Sequence, residues 1–131
     1  MGIREKIMRI LLADDEMNVR SALRLLLEQE SGVSVVGEAT SYPELFKQVR
    51  DINPDLVLLD WELPGEHTGE ALADFNKANP GVRVVVLSSQ PEARKKALSA
   101  GATAFVSKEE PPERLLTIID SCQKHGVCRA N

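Results

Sequence analysis

Cysteine is scarce in this chain: Cys122 and Cys128 are the only two among 131 residues. Two thiols do not make a disulfide scaffold, and such usage points to a reducing cytoplasm. With His125 between them they form a Cys/His cluster, but three soft ligands close to the chain end are a poor tetrahedral set for a metal. Cys122 falls on the apolar stripe of the last helical segment and is expected to be a core thiol. Positive charge is not in excess either. The formal net charge is -4, which gives no reason to expect a nucleic-acid surface, and the one basic cluster, Arg94-Lys95-Lys96, lies on a predicted helix as a solvated face. No apolar run is long enough to span a bilayer, and no signal-peptide pattern opens the chain. Residues 1–6 read as a polar leader. Tryptophan occurs once, at Trp61.

What is present is an ordinary globular composition, 43% hydrophobic and 27% charged, in a length that suits one domain with one core. The chain repeats a strand-then-helix pattern five times. Ile10-Leu11-Leu12-Ala13, Leu56-Val57-Leu58-Leu59 and Val84-Val85-Val86-Leu87 are continuous apolar runs, the mark of strands covered on both faces. A second strand, Val33-Ser34-Val35-Val36-Gly37, is more mixed and reads as an edge. The first helix sets Val19, Ala22, Leu23, Leu26 and Leu27 on one face. Ser41 with Glu44, and Ser89 with Glu92, predict capping boxes for the second and fourth helices. The third runs from near Thr68 to the breaker Asn79-Pro80-Gly81. The fourth, with a thin stripe of Ala93, Ala97 and Leu98, ends at Gly101. The fifth starts at Pro111-Pro112 and buries Leu115, Ile118, Ile119 and Cys122. Right-handed crossovers then predict an α/β fold: a five-stranded parallel sheet of order 2-1-3-4-5, a flavodoxin-like, doubly wound (βα)5 arrangement.

Polar residues punctuate the same end of these strands. Asp14 and Asp15 follow the first, Asp60 the third, Ser88 the fourth and Lys108 the fifth, after Ala104-Phe105-Val106-Ser107. In an open parallel sheet, ligands bind in the crevice beyond the strand C-termini. Carboxylates gathered there are costly without a neutralising cation, and a hard divalent ion such as Mg²⁺ fits oxygen ligands. Asp60 is placed to attack a phosphoryl donor. Lys108 offers a point charge and Ser88 a hydroxyl to an anion. Each residue alone has a plainer reading: Asp15 as a helix cap, Ser88 as a turn residue, Lys108 as a solvated side chain. Their joint occupation of four strand ends favours a site.

This set resembles the receiver domain of two-component response regulators, over residues 7 to 125. Asp14-Asp15 is similar to the family's acidic pair, and Asp60-Trp61-Glu62-Leu63-Pro64 to its phosphoacceptor loop. Leu87-Ser88 and Ser107-Lys108 are similar to its switch hydroxyl and lysine segments, and Phe105 falls at its switch aromatic. The resemblance implies Mg²⁺ held by Asp15, the Asp60 carboxylate and the Glu62 backbone carbonyl, with Asp14 acting through water. It also implies phosphorylation of Asp60 by a sensor histidine kinase or phosphotransfer protein. Ser88 and Lys108 would then grip the phosphoryl group, and Ser88 and Phe105 would switch the surface formed by the fourth helix, fifth strand and fifth helix, which also implies a homodimer face. Such a domain is a signalling phosphoacceptor that assists its own phosphorylation and dephosphorylation, not an enzyme acting on outside metabolites.

Some features depart from the family pattern. Proline follows the lysine only after two glutamates, as Lys108-Glu109-Glu110-Pro111. The loop from Pro64 to Gly69 is longer than usual, and the stretch from Ser88 to Gly101 shorter. Glu62 and Gln90, two residues beyond Asp60 and Ser88, are no departure: they resemble the family's variable positions, which implies a part in tuning loss of the phosphoryl group, while His67 reads as a solvated loop histidine. The tail from Gly126 to Asn131 is too short for a DNA-binding module. The rival readings are a phosphate-independent interaction module, motivated by the altered fourth-helix region, and a phosphohydrolase, for which a substrate cap is missing. A flavin carrier is disfavoured by the acidic pair and the lack of a glycine-rich cradle.

Overall fold

The computed structural model describes residues 7–65 and 68–125, with the side chains of residues 68, 69 and 125 left aside. Its elements run β1 (Met8–Ala13), α1 (Met17–Glu28), β2 (Val33–Ala39), α2 (Tyr42–Ile52), β3 (Leu56–Asp60), α3 (Thr68–Ala78), β4 (Arg83–Ser88), a 3₁₀ turn (Pro91–Ala93), α4 (Arg94–Ser99), β5 (Ala104–Ser107) and α5 (Pro112–His125). All strand pairs are parallel, in the order β2-β1-β3-β4-β5. The expected sheet is present, with β2 on the edge and β1 beside β3.

Side chains alternate across a strand, and this divides the core. Leu11, Ala13, Val57, Leu59, Val84, Val86 and Phe105 pack against α2, α3 and α4 through Leu45, Val49, Leu72, Phe75 and Ala97. Ile10, Leu12, Leu56, Leu58, Val85 and Val106 face the other way, onto Leu27 of α1 and Leu115, Ile118, Ile119 and Cys122 of α5. β2 extends to Ala39, two residues beyond the predicted run, because its pairing with β1 shifts register between Ile10 and Leu11 and then continues.

Four local expectations need revision. The first-helix stripe is not buried throughout: only Leu27 is fully covered, and Ala22 is exposed. The remainder borders a groove of about 470 Å³ shared with Pro112 and Leu115 and reaching Lys108. The fourth helix does not open on a Ser89–Glu92 box. Pro91 starts a 3₁₀ turn capped at Gln90, and Ser88 Oγ accepts the Gln90 N–H at 2.9 Å; proline fixes φ and lets the turn begin there. Of that stripe Ala93, which ends the 3₁₀ turn, and Ala97 of the six-residue α4 are buried, while Leu98 is 39% exposed. Finally, Cys122 is buried as expected but disulfide-bonded, not a free thiol. An apolar stripe reports burial and says nothing of redox state, so cysteine usage no longer argues for a reducing compartment. Cys128, His67 and the two terminal segments 1–6 and 126–131 lie outside the described residues.

Other signals hold. Ser41 Oγ accepts the Glu44 N–H at 3.4 Å, and the Glu44 carboxylate reaches back to the Thr40 N–H at 2.7 Å, a capping box displaced by one residue. Gly101 closes α4 at φ +109°, and a Cβ there would run into the Asn76 amide that donates to the Ala100 carbonyl. The exposed Arg94, Lys95 and Lys96 form a solvated face.

Candidate functional site at the strand ends

Backbone bonds lace the loop bases together before any side chain is considered. Asp14 N–H donates to the Ala39 carbonyl at 3.0 Å, Trp61 N–H to Leu87 at 2.8 Å and Lys108 N–H to Ser88 at 2.8 Å. The ends of neighbouring strands are thereby held at one level, and their side chains meet in one crevice. Carboxylate oxygens of Asp14, Asp15 and Asp60 all lie within 4.8 Å of one another. Asp14 and Asp60 are each 2% exposed, whereas Asp15 faces solvent.

Lys108 answers part of this negative charge. Its ammonium donates to Asp60 Oδ1 at 3.2 Å and stands 3.6 Å from Asp14 Oδ2. The Glu62 N–H also donates to Asp60 Oδ1, at 3.1 Å. Both bonds fall on the same oxygen, so neither draws on Oδ2. Asp14 Oδ1 accepts the Glu16 N–H at 2.8 Å. Its Oδ2 is buried with no hydrogen-bond partner among the described residues. An orphaned carboxylate oxygen beside two further carboxylates is a place for a cation.

The electrostatics say the same. Burial pushes the Asp14 carboxyl above its ordinary range, and Asp60 adds to the effect, against the Glu16 N–H and Lys108. Burial also raises Glu62, again with Asp60, while its bond to Ser88 pulls the other way. For Lys108, burial acts to lower the ammonium, but Asp60 and Asp14 outweigh it and hold it above its usual value. One lysine does not neutralise this pocket.

Ser88 is fully buried and donates its hydroxyl to Glu62 Oε2 at 3.1 Å. Phe105 is 2% exposed within the α2–α4 side of the core. Two groups absent from the sequence reading support the acid pocket. Arg20 donates to the Asp14 backbone carbonyl at 2.9 Å and to Glu38 at 2.7 Å, and Arg24 also binds Glu38, at 2.6 Å. Their only sequence signal is the helical spacing of two arginines; their partner on β2 becomes visible once β1 and β2 are paired.

The family model for the response regulator receiver domain matches residues 10–120. The chain belongs to this family. Among relatives, it is 33% identical over 121 residues to an uncharacterized transcriptional regulatory protein, YhcZ, of Bacillus subtilis, covering 91% of this chain and 55% of that one. It is 32% identical over 114 residues to the response regulator UvrY of Escherichia coli, covering 86% and 52%. The chain thus spans about half the length of the curated relatives it matches. Among solved structures, a LuxR-family two-component response regulator from Aurantimonas superposes with a TM-score of 0.83 at 31% identity, over 92% of this chain and 86% of that one. The receiver domain of a NarL-type regulator from Mycobacterium tuberculosis gives 0.81 at 27%, over 93% and 99%. The receiver fold and its acidic pocket, Asp14, Asp15 and Asp60, are therefore both in place. Nothing in the site favours the phosphate-independent alternative. Among the described residues no helix is long and apolar enough to cross a membrane.

Proposed function

We propose that this receiver is a phosphoacceptor, with Asp60 as nucleophile and a sensor histidine kinase or phosphotransfer protein as donor. The observation that carries the reading is the pairing of a buried Asp60, held on one oxygen by Lys108, with the orphaned Asp14 oxygen beside it. Asp14, Asp15 and Asp60 would hold Mg²⁺, with the Glu62 carbonyl as a further ligand. Bound there, the ion supplies charge neutralisation between the carboxylates and the incoming phosphoryl oxygens.

The chain's own groups do the rest. An Asp60 oxygen forms the new P–O bond as the donor's P–N bond breaks, and the electron pair leaves with the imidazole. Lys108, already on Asp60 Oδ1, is placed to follow the charge onto the phosphoryl oxygens. Ser88 supplies a hydroxyl donor, and its backbone bond to Lys108 links β4 to β5. The readout surface is α4–β5–α5, with Ser88 and Phe105 as the switch pair and the same face as a homodimer contact. The receiver unit is assigned to residues 7–125, with 1–6 as leader and 126–131 as tail. It assists its own phosphorylation and dephosphorylation without acting on outside metabolites. Its location is the cytoplasm, where a donor charged from ATP is at hand, and its contacts are with proteins, not nucleic acid or membrane.

The test is intact mass after incubation with acetyl phosphate and Mg²⁺. One added phosphoryl group is expected for the wild type and none for Asp60→Asn or without Mg²⁺. An adduct that survives Asp60→Asn would overturn the assignment of the nucleophile.

A further inference from the structure

The Ser88 hydroxyl has one proton to give, and in this structure it gives it to Glu62 Oε2 at 3.1 Å. The remaining side of the oxygen accepts the Gln90 N–H at 2.9 Å. A phosphoryl oxygen on Asp60 needs the same proton, because an anion takes only donors. Glu62 and the phosphoryl group are therefore rivals for one hydrogen bond. The rivalry is built by two turns: Glu62 is anchored beside the nucleophile by its own N–H on Asp60 Oδ1, and Ser88 is fully buried at the end of β4.

We propose that Glu62 is a positioning residue that holds the Ser88 hydroxyl in the unphosphorylated receiver and must release it when Asp60 is phosphorylated. The inference rests on the phosphoacceptor reading above. It makes Glu62 a restraint on the active state that acts through Ser88 and the β4–α4 turn, apart from any effect of its charge on the incoming anion. The Gln90 bond carries the consequence outward. When Ser88 turns toward Asp60, the N–H of Gln90, the residue from which the 3₁₀ turn starts, loses its present acceptor geometry, and the start of α4 shifts with it.

Beryllofluoride, a stable fluoride analogue of the phosphoryl group, is titrated at saturating Mg²⁺ into wild type, Glu62→Gln and Glu62→Ala, with Trp61 fluorescence as the signal. Glutamine keeps an acceptor for Ser88 without the charge, and alanine removes both. Losing a hydrogen bond to a charged acceptor predicts tighter binding by about tenfold for Glu62→Ala, with Glu62→Gln between it and wild type. In a Ser88→Ala background the step from Glu62→Gln to Glu62→Ala should vanish. Metal-free spectra give a second reading: Glu62→Ala should move the backbone amide resonances of Ser88 and Gln90, and Glu62→Gln should move them less. Equal affinities for the two Glu62 variants, or an alanine effect that persists at full size without Ser88, would mean that charge alone acts and would overturn the proposal. Wild type that binds beryllofluoride, with Glu62→Ala no tighter, overturns it while leaving the acceptor reading intact. Wild type that binds none overturns the acceptor reading and this inference with it.

Discussion

At the scale of the residue, the acid pocket carries a cost in stability that centres on Asp14. Asp14 is buried, its carboxyl is raised by burial and by Asp60, and one oxygen has no hydrogen-bond partner among the described residues. A carboxyl whose folded value lies above its unfolded one contributes stability that is complete below the unfolded value and lost as pH rises through the folded one. At neutral pH the ionised Asp14 therefore works against folding. Asp14→Asn is expected to stabilise the metal-free protein by about 1 kcal/mol in urea denaturation at neutral pH, since it removes a buried charge from a like-charged cluster. If Asp14, Asp15 and Asp60 hold Mg²⁺ as proposed, the ion should raise the melting temperature of the wild type, and the same substitution should shrink that rise. A metal-free Asp14→Asn protein less stable than wild type would show that the Lys108 ion pair outweighs the desolvation.

At the scale of the element, α1 is fastened to the sheet by a charged clasp as well as by apolar packing. Leu27 is its one fully buried side chain, while Arg20 and Arg24 clasp Glu38 on β2. The Arg24 hydrogen bonds lower the Glu38 carboxyl, with Arg20 assisting and burial opposing. That stability is present above the ordinary glutamate value and lost as pH falls through the lowered folded one. Glu38→Gln should cost about 1 kcal/mol at neutral pH, discounted for the partial exposure of the cluster. The difference from wild type should close on acidification in parallel urea titrations, and a gap that stays constant with pH would rule out an ionic clasp. This clasp also shows where sequence reading stops. The strands, their order and the strand-end residues were legible because each is marked by a local run or its terminus. The partners of Glu38 and the Glu62–Ser88 bond depend on which segments meet, and no local pattern records that. Cys122 was legible as buried, but its bonding state was not.

At the scale of the whole molecule, one sheet separates two cores. Leu45 belongs to the α2–α4 side and Leu58 to the α1–α5 side. Each truncation to alanine should destabilise by about 2–5 kcal/mol. Because the two share no core cluster, the double variant should lose the sum to within about 0.5 kcal/mol, in a single cooperative unfolding transition. A double variant that departs well beyond this would reveal strain passed through the sheet. The site belongs to neither core alone, for it is drawn from the ends of β1, β3, β4 and β5. That arrangement bears on how the protein is made. Asp60 leaves the ribosome 48 residues ahead of the lysine it pairs with, a lag of several seconds at about 5–20 residues per second. Throughout that interval Asp60 has been synthesised but the lysine that pairs with it has not. A nascent chain that stops short of Lys108 therefore carries the acid cluster without the ammonium that meets Asp60 and Asp14 in the folded protein.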